Sequence, residues 1–230
     1  MAGVSRLQYA NEMRLIRVMC SGRVDLEFIL RAFSTGQDGV FIGGCKLNEC
    51  NYVTHGNYDA LGNTYIAKKI LQRIGIHTER LRIEFMSSGD GMQLAGIMDG
   101  FSESVKTLGP LGSSEGLDRK TLTFKLDTAR KLVPYIRLVE RERLRVPSKS
   151  KAAYENFFTS DAFNRLFDEL IGDSLTAGQI TSILSERPRS TAEIAEKLQL
   201  NPSEVSRHMK RSSQHGLVRY DVDKSCYTLA

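Results

Sequence analysis

Gly39-Val40-Phe41-Ile42-Gly43 is a short apolar run bounded by glycines, and it predicts a buried β-strand. Two similar runs, Arg14 to Met19 and Leu81 to Met86, flank it along the chain. Segments with helical periodicity separate the three runs, first from Leu26 to Phe33 and then from Asn57 to Ile74. Short strands that alternate with helices are typical of an α/β domain with a parallel sheet.

The pattern changes twice after this first domain. A helix from Asp90 to Leu108 ends at Gly109-Pro110, and the glycine- and serine-rich residues that follow predict a boundary. We therefore predict an α/β domain over 1–112, a basic helical connector over 113–173 and a winged helix-turn-helix domain over 174–230. Three strands are few for such a sheet, so we expect its first strand to be missing.

The C-terminal prediction depends on local capping signals. Ser190-Thr191-Ala192-Glu193 has the pattern of a capping box that begins one helix. Asn201-Pro202-Ser203-Glu204 supplies an N-cap, a proline at the first helical position and a glutamate that we expect to cap reciprocally. With a helix before them and two short strands after them, these signals indicate a winged helix-turn-helix.

Composition excludes several classes of protein. The chain has 230 residues, of which 41% are hydrophobic and 26% are charged, so it can bury ordinary globular cores. It has neither a long apolar run nor a signal-peptide core near its N-terminus, which predicts a cytoplasmic protein with no membrane partner. Four cysteines are too few for a disulfide-stapled scaffold of this length.

The net charge of +5 is unevenly distributed. Residues 1–115 carry 12 Lys and Arg against 12 Asp and Glu, whereas residues 116–174 carry 12 against 9 and residues 175–230 carry 8 against 6. The stretch 130–151 alone holds eight basic and two acidic residues. Such a stretch is either a solvated helix face or a surface for an acidic partner or nucleic acid.

Three of the four cysteines are predicted to meet. Cys20 follows the first predicted strand, Cys45 follows the second, and Cys50 lies in the loop beyond it. Ligands of open α/β sheets bind at the carboxyl ends of the strands. The three thiols could hold an iron–sulfur cluster, or zinc with His55 as a fourth ligand, or they could be inert. Cys226 lies in the wing and could ligate only if the wing docked over the site.

Several motifs resemble the delta subunit of methyl-viologen-reducing hydrogenase over about residues 2–110. In chain order, these motifs are Ala2-Gly3-Val4-Ser5-Arg6-Leu7-Gln8-Tyr9, Arg17-Val18-Met19-Cys20-Ser21-Gly22-Arg23-Val24-Asp25, Gly39-Val40-Phe41-Ile42-Gly43-Gly44-Cys45, Glu49-Cys50-Asn51-Tyr52 and Gly56-Asn57-Tyr58. The resemblance implies a flavodoxin-like domain with a [2Fe–2S] cluster, and Cys20, Cys45 and Cys50 match family cysteines. It therefore favours the cluster among the three interpretations.

The resemblance also implies a role and partners. Such proteins relay electrons between a hydrogenase or formate dehydrogenase and the flavin-containing A subunit of heterodisulfide reductase. Family members carry a strand and a Cys-x-x-Cys motif upstream of the segment that matches Ala2 to Ser5. We therefore expect this sequence to be an N-terminally truncated gene model, in which the three thiols could hold a cluster only with a fourth ligand from elsewhere.

Neither a nucleophile with its base nor a phosphate-binding loop is evident in the sequence. Ser87 to Gly91 is better explained as a helix N-cap turn. We expect a non-catalytic electron-transfer subunit whose connector docks the flavin-bearing partner through Arg137, Arg141, Arg143 and Arg145. The alternative is a redox-responsive transcription regulator. Its third winged-helix helix would face DNA through the following residues: Ser203, Ser206, Arg207, Lys210, Arg211 and Gln214.

Overall fold

Two parallel strands lie at the centre of the N-terminal half in this computed structural model, which describes residues 12–52 and 55–230. β1 (Val40–Gly44) pairs with β2 (Leu81–Phe85), with Ile42 opposite Ile83. Both strands were expected from their apolar runs. The described residues thus contain a mixed α/β arrangement in which the parallel sheet has two strands.

The strand predicted from Arg14 to Met19 is wrong for this structure. Residues 13–18 have no regular secondary structure. The side chains of Leu15, Ile16 and Met19 are 70%, 87% and 86% exposed. A strand needs a neighbouring backbone for its hydrogen bonds, and within the described residues β1 pairs only with β2. The loop expected at residues 1–3 lies outside the described residues.

Three helices pack around the two strands: α1 (Leu26–Ser34), α2 (Asn57–Ile74) and α3 (Gly91–Leu108). α1 is strongly amphipathic, and its buried positions fall on one face: Leu26, Ile29, Leu30 and Phe33. α2 begins after Gly56 and ends at Gly75, whose φ of 87° is the left-handed conformation that favours glycine at a helix end. These helices carry the segments that form the candidate site.

A buried ion pair fastens the loop that follows α3. Arg80 and Glu115 have side chains 0% and 1% exposed, and Arg80 Nε lies 2.6 Å from Glu115 Oε1. The Arg80 guanidinium also donates to the carbonyl oxygens of Asp38, Leu108 and Gly109. A charge taken out of water is tolerated when it is paired and its donors are satisfied, as they are here.

The predicted connector is helical, as expected. It contains α4 (Arg119–Lys131), α5 (Val133–Arg143), α6 (Lys151–Phe158) and α7 (Asp161–Phe167). Its buried side chains join those of α1 and α2 in one large hydrophobic core. The N-terminal half is therefore covered by the connector helices, with Tyr58 of α2 packed on Tyr154 of α6 at a ring-centroid distance of 5.1 Å.

One helical path leads from the connector into the C-terminal unit. α7 continues through a π-helical turn at Asp168–Gly172 into α8 (Asp173–Leu184). Leu175 of α8 belongs to the large core, whereas Ile180 and Ile183 belong to a second, smaller core. The two cores are thus connected by continuous helix.

The C-terminal unit has three helices and a hairpin. α9 (Thr191–Leu198) and α10 (Pro202–Gln214) follow α8, and β3 (Val218–Asp221) pairs antiparallel with β4 (Cys226–Leu229). Ser190 and Glu193 form the predicted capping box. The arrangement is that of a winged helix-turn-helix. No helix of the described residues is long and apolar enough to span a membrane.

Asn201 caps α10 as predicted, since its side chain accepts a hydrogen bond from the Ser203 amide at 3.1 Å. Glu204 was expected to complete that cap. Its carboxylate instead accepts a hydrogen bond from Arg73 of α2 at 3.3 Å. This contact is one of those that join the C-terminal unit to the N-terminal half.

Candidate metal centre

Cys20 and Cys50 bring two thiols together. Cys20 precedes a 3-10 turn at Ser21–Arg23, and its Sγ accepts a hydrogen bond from the Gly22 amide at 3.4 Å. Cys50 lies in the loop between β1 and α2. The two Sγ atoms are 3.9 Å apart. Both residues are partly exposed, so the pair can be reached from solvent.

Two glycines make this approach possible. A Cβ atom on Gly22 would stand 2.6 Å from the Gly56 carbonyl oxygen. A Cβ atom on Gly56 would stand 2.4 Å from the Tyr52 oxygen and 2.6 Å from the Sγ of Cys50. A side chain on Gly22 would push the two cysteine-bearing segments apart, and a side chain on Gly56 would displace the Cys50-bearing segment itself. Their sequence motif contains the glycines, but this close contact could not be predicted from it.

Asn57 holds the third cysteine. Cys45 directly follows β1 and is exposed. The buried Asn57 side chain donates to the carbonyl oxygens of Cys45 at 2.9 Å and Lys46 at 2.8 Å, and its Nδ2 lies 3.7 Å from the Cys45 Sγ. The first residue of α2 therefore anchors the loop that starts at Cys45. Sequence analysis placed Asn57 in a motif and missed this role.

The three thiols have different acidities. Burial, together with the neighbouring Cys50 thiol, raises the pKa of Cys20 and of Cys45. Burial also acts to raise the pKa of Cys50, but hydrogen bonds from the Asn57 and Tyr52 backbone and from the other two thiols outweigh it, and the pKa is lowered. Because the Asn57 amide belongs to the first turn of α2, the helix N-terminus favours a thiolate at Cys50.

The donor set fits a thiolate-bound metal in its chemistry. Metal–thiolate bonds to tetrahedral zinc are about 2.3 Å long, so two thiolates on one such ion stand about 3.8 Å apart. The Cys20 and Cys50 sulfurs have nearly this separation. Among the described residues, however, no group of three or more His, Cys, Asp or Glu side chains is placed so that it could hold a metal ion.

The other predicted ligands lie elsewhere. The imidazole of His55 is 85% exposed, and its Nδ1 faces Asp59 at 3.8 Å. Cys226 is buried in the hairpin of the C-terminal unit, where its backbone lies opposite Asp221. The structure thus brings Cys20 and Cys50 into contact with Cys45 nearby, and it places the fourth cysteine in the other unit.

The predicted docking arginines are exposed. Arg137 is paired with Asp25 and Arg141 with Glu142, the latter at 3.0 Å. Arg143 ends α5 and Arg145 lies just beyond it, and both are exposed. The residues predicted to face DNA are also all exposed on α10: Ser203, Ser206, Arg207, Lys210, Arg211 and Gln214. Arg211 forms an ion pair with Asp173 at 2.7 Å.

Two family models match separate parts of the chain. The first, described as methyl-viologen-reducing hydrogenase, delta subunit, matches residues 1–109. The second, described as bacterial regulatory protein, arsR family, matches residues 176–220. The second match covers most of the winged helix-turn-helix and agrees with its interpretation as an extension of the first domain.

Curated relatives match the first half. The chain is 43% identical over 110 residues to the iron-sulfur subunit of the F420-non-reducing hydrogenase of Archaeoglobus profundus, a match that covers 48% of this chain and 80% of that protein. It is 42% identical over 109 residues to the iron-sulfur subunit of the vhc F420-non-reducing hydrogenase of Methanococcus voltae, covering 47% of this chain and 75% of the relative.

A third relative is much longer. It is the A subunit of the ferredoxin/F(420)H(2)-dependent CoB-CoM heterodisulfide reductase of Methanosarcina acetivorans, which is 39% identical over 113 residues. That match covers 49% of this chain and 14% of the reductase protein. The two hydrogenase relatives, in contrast, are matched over most of their length, and the chain belongs to the family of the methyl-viologen-reducing hydrogenase delta subunit.

Proposed function

We propose that this protein is an iron–sulfur electron-transfer subunit, and that Cys20, Cys45 and Cys50 ligate a [2Fe–2S] cluster. The contact between the Cys20 and Cys50 thiols, 3.9 Å apart beside Cys45, is the observation that carries the proposal. The curated relatives from Archaeoglobus and Methanococcus are named iron-sulfur subunits. A [2Fe–2S] cluster normally takes four thiolates, so a fourth ligand would complete the site.

A bound cluster would supply one-electron transfer, and the surrounding residues would set its environment. The Gly22 amide and the first turn of α2 place N–H groups beside the sulfurs of Cys20 and Cys50. Such groups stabilise negative charge on thiolates. Gly22 and Gly56 keep the two cysteine-bearing segments in contact. Partial exposure of the thiols leaves a short path to a docked protein.

We further propose that the N-terminal domain is flavodoxin-like and works within a hydrogenase or heterodisulfide reductase complex. Its partners would be a hydrogenase or formate dehydrogenase on one side and the flavin-containing A subunit of heterodisulfide reductase on the other. Arg143 and Arg145 extend outward at the end of α5, and Arg141 is beside them. This basic end of α5 is a suitable docking face for an acidic partner surface.

Metal analysis of anaerobically purified protein tests the cluster. We expect iron and acid-labile sulfide with visible absorbance. Cys20→Ser, Cys45→Ser and Cys50→Ser should each remove or alter that spectrum, because each deletes a thiolate. Cys226→Ser is the matched control and should leave the spectrum unchanged, since Cys226 is buried in the distant hairpin. Zinc in place of iron, or an unaltered spectrum in all three variants, would contradict the assignment.

A second function is supported by the C-terminal unit. The exposed polar face of α10 and the match to the arsR family of regulatory proteins favour binding to double-stranded DNA. Residues 175–230 carry only 8 basic against 6 acidic residues, which is a small excess for neutralising phosphates.

A DNA titration at several salt concentrations separates the two functions. If the unit reads DNA, the affinity should fall steeply with salt, and Arg207→Ala should weaken it. Lys224→Ala is the control at an exposed residue of the hairpin tip. It measures how much the loss of any one positive charge lowers the DNA affinity. If both variants lose the same DNA affinity whatever the DNA sequence, the binding is non-specific. Electron transfer would then remain the only proposed function.

A further inference from the structure

Cys20 and Cys50 form a thiol pair that suits a second kind of chemistry. Their Sγ atoms are 3.9 Å apart, although 30 positions separate the two residues in the chain. Two adjacent thiols are the reactants of a disulfide bond, and that bond needs no third ligand. The pair therefore has a chemistry of its own, whatever else completes the donor set.

The sulfurs must move together by about 1.9 Å to form this bond, since a disulfide is about 2.0 Å long. The backbones leave little room to approach further, because a Cβ atom on Gly22 would already stand 2.6 Å from the Gly56 carbonyl oxygen. Residues 45–50, however, lie in neither a helix nor a strand. Rotation of the two cysteine side chains, with a small shift of this loop, is enough to bring the sulfurs together.

The other two cysteines are placed differently. Cys45 is exposed, but Asn57 holds it, with Nδ2 lying 3.7 Å from the Cys45 Sγ and donating to the Cys45 carbonyl oxygen at 2.9 Å. Cys226 is buried in the hairpin of the C-terminal unit. Cys20 and Cys50 are both partly exposed, so a small reagent can reach them. The geometry thus selects one pair among the four cysteines.

We propose that Cys20 and Cys50 form a reversible disulfide when their thiols carry no metal, and that the oxidant is a low-molecular-weight disulfide such as oxidised glutathione. One thiolate of the pair attacks the reagent, forms a mixed disulfide and releases one reduced thiol. The second thiol loses its proton, attacks the protein sulfur of the mixed disulfide and releases the other reduced thiol. The protein loses two electrons and two protons, and the reagent gains both.

The bond changes the site in two ways. It joins the turn after Cys20 to the loop that carries Cys50, and it closes a ring of chain that contains α1 and β1. It also removes two sulfurs from the donor set, because a thiolate binds a metal and a disulfide sulfur does not. The disulfide-bonded and metal-bound forms of the pair therefore exclude each other. The inference does not rest on the proposed cluster.

The full-length chain, reduced and freed of metal by a chelator, tests the pair. It is equilibrated without oxygen in mixtures of reduced and oxidised glutathione, and its cysteines are mapped by mass spectrometry. We expect Cys20 and Cys50 to be lost together as thiols and to be recovered in one linked peptide pair without glutathione. Excess reductant should restore both thiols. Cys226→Ser is the matched control and should form the same linkage to the same extent.

The same experiment in urea shows whether the folded contact directs the linkage. Closure of an unfolded chain favours short loops, so Cys45 and Cys50, which are five positions apart, should be the main linked pair there. A folded chain that links its cysteines in the same proportions as the chain in urea overturns the inference. A linkage of Cys45 to either member of the pair as the main product of the folded chain also overturns it.

Variants that keep one member of the pair test the two-step exchange. In chains that also carry Cys45→Ser, Cys20→Ser and Cys50→Ser should each stop at the mixed disulfide and retain one glutathione on the remaining cysteine. Stable mixed disulfides on both Cys20 and Cys50 in the unmodified chain, or thiols that stay reduced in oxidised glutathione, overturn the inference. Iron and acid-labile sulfide are measured separately on the native protein, so each of the two proposals can fail without the other.

Discussion

The thiol site, formed by Cys20, Cys45 and Cys50, and the C-terminal unit differ in the sequence separation of the contacts that hold them together. Cys20 and Cys50 meet across 30 residues, and Asn57 holds a carbonyl group 12 residues before it. In the C-terminal unit, by contrast, Ser190 and Glu193 cap a helix across three residues, as Asn201 and Ser203 do across two. Long-range contacts fix a site that no local segment can form alone. Local contacts form a unit that sequence patterns predict well. Single substitutions in the two regions should reveal this difference.

The largest expected effect is at the buried ion pair of the N-terminal half. Glu115→Gln leaves the Arg80 charge buried without its partner, and we expect a loss of about 3–5 kcal/mol in the free energy of unfolding. Urea titration measures it. Glu84→Gln is the control, because Glu84 pairs with Arg82 near the surface and should cost less than about 1 kcal/mol. Equal effects of the two changes would contradict the role given to the buried pair.

The same pair predicts a dependence of stability on pH. Although burial acts to raise the pKa of Glu115, hydrogen bonds from Arg80 and from the His77 amide hold it at about 2, below its usual 4.5. A lowered pKa in the folded state contributes stability that is present above pH 4.5 and is lost as the pH falls toward 2. In Glu115→Gln this acid-dependent loss should be smaller, and thermal unfolding between those pH values would show it.

An intermediate effect is expected where the two cysteine-bearing segments touch. Gly56→Ala places a methyl group against the Tyr52 oxygen and the Cys50 sulfur, so the loop must shift. We expect a destabilisation of about 1–3 kcal/mol and a lower iron content. Gly96→Ala is the control in the middle of α3, where a Cβ meets nothing within 4 Å. It should be neutral or stabilising by up to about 1 kcal/mol. Unchanged iron content in Gly56→Ala would contradict the close-packed site.

The smallest effect is expected in the C-terminal unit. Ser190→Ala removes the hydroxyl that caps α9, at a cost of about 1 kcal/mol. Hydrogen exchange should show faster opening of α9 with unchanged protection of α2. Ser206→Ala, on the exposed face of α10, is the control and should change stability by less than about 0.5 kcal/mol. Loss of protection throughout the molecule would contradict the local character of this contact.

The elements that could be predicted from the sequence are those with strong local signals. The bounds of α2 follow from its apolar periodicity and from Gly75, and the caps of α9 and α10 follow from Ser190 and Asn201. The run from Arg14 to Met19 has the composition of a strand but lies unpaired. Composition indicates which secondary structure a segment prefers, but a strand also needs a neighbouring strand for its backbone hydrogen bonds.

The candidate site could be predicted only in part. The position of Cys20 and Cys45 after apolar runs suggested that the thiols meet, and whether they bind a cluster stays a prediction. The contacts made by Asn57 and Arg80 gave no usable signal in the sequence. Asn57 contacts residues 11 and 12 positions before it, and Arg80 contacts residues 28 to 42 positions away, so no short sequence window contains either residue together with its partners.

The unbroken helical path from α7 through the π-helical turn into α8 has a mechanical consequence. Leu175 is anchored in the large core and Ile180 in the small one, and the two residues are five positions apart, which is about 7.5 Å along the helix axis. No loop interrupts the helix between Leu175 and Ile180. The C-terminal unit can therefore rotate relative to the N-terminal half only if this helix bends or unfolds. A partner protein that binds α10 therefore also fixes the orientation of the N-terminal half, which carries the thiols.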